Sequence, residues 1–217
     1  MKVAFVDIDH CLVSVNTSLE FTKHLLKNGY HSPWRFIPLT VLYFLFQFKL
    51  FPQAWLIQLY VLSLKGSNLE SLRKIACDFT RERIAPTLIL SVIEEIKELQ
   101  RQGFRIVLAT GSFELTATPL GQLIGADDVL ATGLSEKKGL LTGGLRGVLL
   151  YGADKWRAVR EFATANRVDL AQSSAYSDHS SDLPLLEAVG SPVAVNPDRK
   201  LRRLAKKRGW RLIETGQ

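Results

Sequence analysis

This 217-residue chain predicts an α/β protein built on a doubly wound parallel sheet, and three observations carry that prediction. Short apolar runs of strand length alternate with amphipathic patterns of helical period, an order that puts helices on both faces of a parallel sheet. The first run, VAFV at Val3–Val6, is apolar throughout, as a strand buried on both faces requires. The length suffices for one large core with a smaller insertion, and the two cysteines, Cys11 and Cys77, form no disulfide framework of the kind a small secreted fold needs.

The elements follow in order. Val3–Val6 is the first strand. About residues 14–84 the pattern is helical, with no strong strand. Thr87–Gln102 is amphipathic at helical spacing and is stopped by Gly103. Phe104–Ala109 is a second buried strand, and a helical pattern starts at Glu114. Asp128–Leu134 is a strand, and LTGGLRG at Leu141–Gly147 suggests a hairpin with a Gly-Gly turn. Ala153–Asn166 is helical and Ser174–Ser177 a strand. Then come a polar loop between Asp178 and Asp182 and a short helix. Ser191–Val195 is a strand, Arg199–Arg208 a helix and Trp210–Ile213 a terminal strand. No repeat, low-complexity tract or Gly/Ser linker divides the chain. The cysteine usage, and an N-terminus that enters the first strand without a basic-then-apolar leader, predict a reducing, cytoplasmic setting.

Ligands of open α/β sheets sit beyond the carboxyl ends of strands. Asp7 and Asp9 in VAFVDIDHCLV fall there, and Asp178 and Asp182 repeat the arrangement after a later strand. Four carboxylates with no His/Cys cluster suit a hard cation such as Mg²⁺, and a carboxylate in that position can attack phosphorus. The plainer reading of Asp-x-Asp is a turn or helix cap, and that of carboxylates four apart is an exposed pair at a helix start. Thr110-Gly111-Ser112 offers a hydroxyl and backbone N–H groups to a phosphate oxygen, or simply caps a helix. Lys155 stands in the first turn of its helix, where a cation opposes the dipole; it is either functional or merely solvated.

The order VDID, LATGS, Lys155 and YSDHSSD resembles the four motifs of the haloacid dehalogenase superfamily, within it the phosphoserine-phosphatase-like branch. The stretch AYSDHSSDLPLLEAVGSPVAVNPDRKLRRLAKKRGWRLIE is similar to a bacterial subfamily that includes phosphatidylglycerophosphatase-C-like proteins. The resemblance covers roughly two-thirds of the chain. It implies a Rossmann-like catalytic core, residues 1–13 and 85–217, with a helical cap at 14–84 inserted after the first strand. It also implies a Mg²⁺-dependent phosphatase that hydrolyses a phosphate monoester through an aspartyl-phosphate. Asp7 would be nucleophile and metal ligand. Asp9 would be general acid and base, with its carbonyl on the metal. Thr110 and the Gly111 N–H would hold the phosphoryl group, with Lys155 neutralising charge on it. Asp178 would bind Mg²⁺ directly, and Asp182 would hold it through water or orient Lys155. The chain departs from the family pattern at His10 and Cys11, which follow the second aspartate. Cys11 is read as a small buried side chain or a reactive thiol, and His10 as pointing to solvent. It departs again at Asn16, where phosphoserine phosphatases carry a glutamate for the substrate amine; phosphoserine therefore ranks below other phosphomonoesters.

The insertion has an apolar stretch at residues 34–64, with Trp34, Phe36, Phe44, Phe46, Phe48, Phe51 and Trp55. Pro38, Gln47, Lys49 and Pro52 interrupt it, so neither block reaches the roughly 18–20 residues needed to span a bilayer. It is read as the core of a helical cap, or as a surface in peripheral contact with the inner face of a membrane. The second reading would bring a lipid or otherwise amphiphilic phosphate such as phosphatidylglycerophosphate to the site, and this is the leading substrate class at the level of sequence; a small soluble metabolite phosphate, which suits the first reading, is the runner-up. A phosphotransferase, or a catalytically weak membrane-binding protein on the same fold, are the other readings. The net charge of +7 has a local source in Arg199, Lys200, Arg202, Arg203, Lys206, Lys207, Arg208 and Arg211. These read as a solvated helix face first, an anionic-lipid contact next and a nucleic-acid contact last, since no recognition motif accompanies them. The sequence leaves the oligomeric state open.

Overall fold

The structure is a computed structural model that describes residues 1–30, Trp34 and 53–215. The strands are β1 (Val3–Val6), β2 (Arg105–Phe113), β3 (Asp128–Lys137), β4 (Leu140–Arg146), β5 (Ser174–Ser177), β6 (Ser191–Val195) and β7 (Arg211–Ile213). They form one sheet in the order β4-β3-β2-β1-β5-β6-β7. Every neighbouring pair is parallel except β3 and β4, an antiparallel hairpin at one edge. β1 is central, with Phe5 opposite Val107 on one side and Ala175 on the other.

Side-chain alternation divides the core into two layers. Val3 and Phe5 face one way, against helices α6 (Ala153–Ala165), α7 (Leu183–Leu186) and α8 (Arg199–Arg208), which contribute Val159, Leu186 and Leu201. Ala4 and Val6 face the other way, into an apolar cluster with α4 (Leu90–Arg101) and α5 (Glu114–Ile124). The same cluster takes in Phe21 and Leu25 of α1 (Thr17–Lys27), Tyr60 and Val61 of α2 (Gln53–Ser63), and Leu72 and Phe79 of α3 (Leu69–Phe79). Residues of the long insertion thus share one apolar layer with the sheet. Full burial of one such Phe or Leu contributes about 1.5–3 kcal/mol.

Local chemistry sets the helix boundaries. The Asn16 and Asn68 side chains accept from Leu19 N and Ser71 N, each at 2.9 Å, and start α1 and α3. Asp198 caps α8 by accepting from Leu201 N at 2.7 Å, and Gly209 ends that helix in the left-handed region. On α8, Leu201 and Ala205 are buried, while its basic residues are exposed; Arg202 pairs with Glu214 and Arg208 with Glu187.

The strands Val3–Val6, Ser174–Ser177 and Ser191–Val195 and the helix Arg199–Arg208 lie where the sequence pattern puts them. Several boundaries differ. The strand expected to end at Leu134 runs on to Lys137. The helix expected from Thr87 begins at Leu90, because Ala85–Thr87 forms a 3₁₀ turn around Pro86. The strand expected to end at Ala109 continues to Phe113 through an irregularity in its pairing with β3. The hairpin turn is at Lys138 and Gly139, with φ of 53° and 77°, not at Gly143-Gly144. Gly143 lies inside β4 for another reason: a Cβ there would stand 3.1 Å from Lys65 Cβ, so its lack of a side chain lets the segment after α2 approach.

Most of the apolar stretch 34–64 lies outside the described residues. Within them, Tyr60, Val61 and Leu64 are buried, whereas Trp34 is 79% and Leu62 49% exposed. No described helix is long and apolar enough to cross a membrane.

Candidate active site

The three central strands β2, β1 and β5 end side by side, and their carboxyl ends carry the candidate residues. Asp7 is one residue past β1. Its N–H donates to Tyr176 O at 3.0 Å, which carries the strand pairing one step further and fixes the Asp7 backbone. Its Oδ1 accepts from Ile8 N at 2.8 Å, and its Oδ2 accepts from Lys155 Nζ at 2.9 Å. Lys155 reaches that point from the first turn of α6, where the dipole disfavours a cation. The compensation is tertiary: Nζ also donates to Asp182 Oδ2 at 2.7 Å, and the ammonium is buried between two carboxylates. Burial pulls the Lys155 pKa down, but Asp7 and Asp182 together outweigh it and hold the ammonium above the ordinary lysine value.

Asp182 sits in the turn that follows β5 and is buried. Its Oδ2 also accepts from Ser177 Oγ at 2.7 Å, whereas its Oδ1 is buried with no hydrogen-bond partner among the described residues. Asp178, one residue past β5, has its carboxyl pushed up to about 8, chiefly by burial and then by the nearby Asp7 charge.

Asp9 occupies a separate environment built of neutral donors. Its Oδ1 accepts from Thr17 N at 2.9 Å and Thr17 Oγ1 at 2.8 Å. Its Oδ2 accepts from Ser112 Oγ at 2.9 Å and Asn16 Nδ2 at 3.2 Å. Burial raises the Asp9 pKa against these hydrogen bonds, and Asp7 adds to the rise. A carboxyl with a raised pKa is suited to give up and retake a proton near neutral pH.

Thr110 is buried at the end of β2, where its Oγ1 accepts from Ser112 N at 3.1 Å. Gly111 has no room for a larger residue without adjustment, since a Cβ would stand 3.2 Å from Leu150 O; its own carbonyl accepts from Thr132 Oγ1 at 2.9 Å. The Thr-Gly-Ser segment does not act as a side-chain cap: the residue before α5 is Phe113, and no side chain caps that helix. Cys11 is fully buried, and burial together with Asp7 pushes its thiol well up, so it is a packing residue and not a thiolate nucleophile. His10 is exposed in the left-handed region at φ 57°, and its carbonyl faces Asn196.

The structure brings Asp7, Lys155 and Asp182 into contact and joins Ser112 and Asn16 to Asp9, and it adds two residues that the sequence did not single out. Thr17 clamps Asp9 together with Ser112, and Ser177 holds Asp182; Asn16 both caps α1 and reaches Asp9. Ser112 stood inside a recognised motif, but nothing in the pattern aimed its hydroxyl at Asp9 and not at a ligand.

Among the described residues no three or more His, Cys, Asp or Glu side chains stand together as a ready metal cluster. Asp182 serves Lys155 with one oxygen. The donors that could hold a cation here would be the Asp7 and Asp178 carboxylates, with the Asp9 carbonyl that the family resemblance assigns. That is a hard-oxygen set of few protein ligands, of the kind that leaves a small divalent ion several of its waters. The unpartnered Asp182 Oδ1 is an acceptor for such a water, and the raised Asp178 carboxyl ionises readily only with positive charge close by.

Comparison with known proteins points the same way. A family model described as haloacid dehalogenase-like hydrolase matches residues 4–187. The "Inhibition of morphological differentiation protein" of Streptomyces azureus is 33% identical over 97% of this chain and 77% of its own length. The Mycobacterium tuberculosis protein named phosphoserine phosphatase SerB1 is 32% identical over 96% of this chain and 69% of its own. In fold, the chain is similar to a Bordetella pertussis protein of unknown function, with TM-score 0.87 at 24% identity over 98% of this chain and 97% of that one. It is also similar to a substrate-bound phosphoserine phosphatase, with TM-score 0.70 at 21% identity over 99% and 94%.

Proposed function

The chain belongs to the haloacid dehalogenase-like hydrolases and is a phosphatase of that family; from that premise we propose that it cleaves a phosphate monoester through a phosphorylated Asp7, with Mg²⁺ as cofactor. The observation that carries this reading is the division of labour among the carboxylates at the strand ends. Asp7 is paired with the Lys155 ammonium, whereas Asp9, two residues on, is held by neutral donors alone. Two carboxyls in contrasting environments can take the contrasting roles of nucleophile and proton carrier.

In the first step an Asp7 carboxylate oxygen forms a bond to phosphorus as the ester P–O bond breaks. The electron pair of that bond stays on the leaving oxygen, which takes the proton of Asp9. In the second step Asp9, now a carboxylate, takes a proton from the water that attacks phosphorus. The Asp7–phosphorus bond breaks, and its electron pair returns to the carboxylate. Lys155 balances charge on the phosphoryl oxygens and on Asp7, and Asp182 with Ser177 holds the ammonium in place. Thr110 and the Gly111 N–H receive a phosphoryl oxygen. A magnesium ion bound by Asp7, Asp178 and the Asp9 carbonyl would supply further positive charge to the equatorial oxygens. In this scheme residues 1–13 and 85–217 are the catalytic core, and 14–84 is a cap that selects the ester.

The substrate class we favour is a small soluble phosphate monoester, in keeping with relatives named as phosphoserine phosphatases. Phosphoserine itself ranks lower, because the neutral Asn16 is engaged with Leu19 N and Asp9 and offers no charge to an ammonium. A lipid phosphate such as phosphatidylglycerophosphate is the second reading, supported by the aromatic stretch that begins at the exposed Trp34. The test is phosphate release, with Mg²⁺ and with chelator, from phosphoserine, sugar phosphates, glycerol phosphate and micellar phosphatidylglycerophosphate, with Asp7→Asn as control. Turnover of a soluble ester that needs both Asp7 and Mg²⁺ is the expected result. Turnover of the lipid alone would replace the first reading with the second, and Asp7-independent turnover would sink the mechanism.

A further inference from the structure

We propose that Ser112 is a positioning residue for the proton transfer, the one partner that holds the reactive oxygen of Asp9 in both of its protonation states. The inference rests on the reading of Asp9 as acid and base given above. It starts from a closed ring of three oxygen-bearing groups. Thr17 Oγ1 lies 2.8 Å from Asp9 Oδ1, Ser112 Oγ lies 2.9 Å from Asp9 Oδ2, and the two hydroxyls lie 3.1 Å from each other. Both hydroxyl residues are buried, and they come from parts of the chain 95 residues apart, the first turn of α1 and the end of β2.

The two oxygens of Asp9 are not equivalent. Oδ1 receives both the N–H and the hydroxyl of Thr17, so its lone pairs are taken and it is the poorer place for a proton. Oδ2 receives Ser112 and, at the longer distance of 3.2 Å and near solvent, the Asn16 amide. An amide N–H only donates, so Asn16 opposes a proton on Oδ2. A hydroxyl both donates and accepts. Ser112 can give its hydrogen to the Asp9 carboxylate, and it can turn to accept from the Asp9 carboxyl group, while Thr17 stays within reach of either. When the proton leaves Oδ2 for the departing oxygen of the ester, Ser112 reverses its role without moving the carboxyl group.

Removal of the hydroxyl leaves Oδ2 with a donor-only partner and frees the carboxyl to rotate. The loss falls on esters whose leaving group needs a proton. The experiment is kcat/KM, which reports the step that expels the alcohol, across phosphate esters of graded leaving-group basicity from p-nitrophenyl phosphate to alkyl phosphates. Wild type, Ser112→Ala, Ser112→Thr and Asp9→Asn are compared, with thermal melting to confirm the fold of each. Asp9→Asn is expected to steepen the dependence on leaving-group basicity. Ser112→Ala is expected to follow it partway, losing about tenfold on alkyl esters and less than about threefold on p-nitrophenyl phosphate, a fraction of the roughly 10²–10⁴-fold that a positioned general acid contributes. Ser112→Thr, which keeps the hydroxyl, retains the wild-type slope. An even loss across the series in a folded Ser112→Ala would overturn the proposal while leaving the role of Asp9 intact. A flat response in Asp9→Asn would instead remove the premise on which the proposal stands.

Discussion

The Lys155 ammonium is the residue-scale feature on which the site depends most. With Asp182 buried and Asp7 half-buried, deleting the cation leaves their carboxylates facing each other without compensation. Breaking a buried pair from one side costs about 3–5 kcal/mol. Lys155→Met should therefore lower the urea midpoint markedly and reduce turnover at least about a hundredfold. Adding Asp182→Asn should recover part of the stability and none of the activity, which separates folding from chemistry. The raised carboxyls give a second expectation. Asp178, at about 8, and Asp9 both bind protons more tightly in the folded chain than in the unfolded one. Stability therefore falls as pH rises from about 4 toward 8, because across that window the folded state holds the extra protons. Melting curves in chelator at pH 5, 6.5 and 8 should show this decline. Asp178→Asn should flatten it, as should added Mg²⁺.

At the scale of elements, tight crossings decide which glycines matter. Gly190 joins α7 to β6 where the chain passes the turn at Leu170–Gln172, and its N–H donates to Leu170 O at 3.0 Å. A Cβ there would lie 1.8 Å from the Ala171 carbonyl oxygen, so Gly190→Ala must displace backbone. A loss of about 2–3 kcal/mol is expected from chemical denaturation. Gly103, which stops α4 at φ 78°, has nothing within 4 Å of a built Cβ; Gly103→Ala should cost only about 1 kcal/mol, for the left-handed backbone alone. The sequence gives both positions the same appearance, a glycine at the end of a helical pattern. It also made Gly143-Gly144 look like a turn, although the turn forms at Lys138-Gly139, because a two-residue hairpin needs consecutive positive φ angles and Gly143 is needed instead for the approach of Lys65.

At the scale of the molecule, one apolar layer joins the described residues of the 14–84 segment to the sheet, and the two are expected to unfold together. Phe79 of α3 is fully buried, packs edge to face on Phe21 with ring centroids 5.1 Å apart, and belongs to the cluster that contains Ala4 and Val6 of β1. Phe79→Ala should cost about 3–5 kcal/mol. The loss should appear as a shift of one unfolding transition seen alike by far-ultraviolet and aromatic signals. Two separated transitions, with only the first shifted, would show that the insertion folds apart from the sheet.

Most of the sheet and the positions of the candidate residues were legible because they rest on short-range chemistry. The apolar tetrapeptide Val3–Val6 followed by Asp7 and Asp9 marks a buried strand and its carboxyl end without knowledge of any partner strand. Whatever depends on two distant segments meeting was not legible. Lys155 looked ill-placed at the start of its helix until Asp7 and Asp182 were brought to 2.9 and 2.7 Å. Ser112 and Thr17 became partners of Asp9 only when the end of β2 came to rest beside the start of α1. The sequence by itself determined which residues are candidates for the chemistry and at which strand ends they stand. The tertiary structure alone decided what each of them faces, since the direction of a hydrogen bond and the charge around a buried carboxyl are properties of packing that no local pattern records.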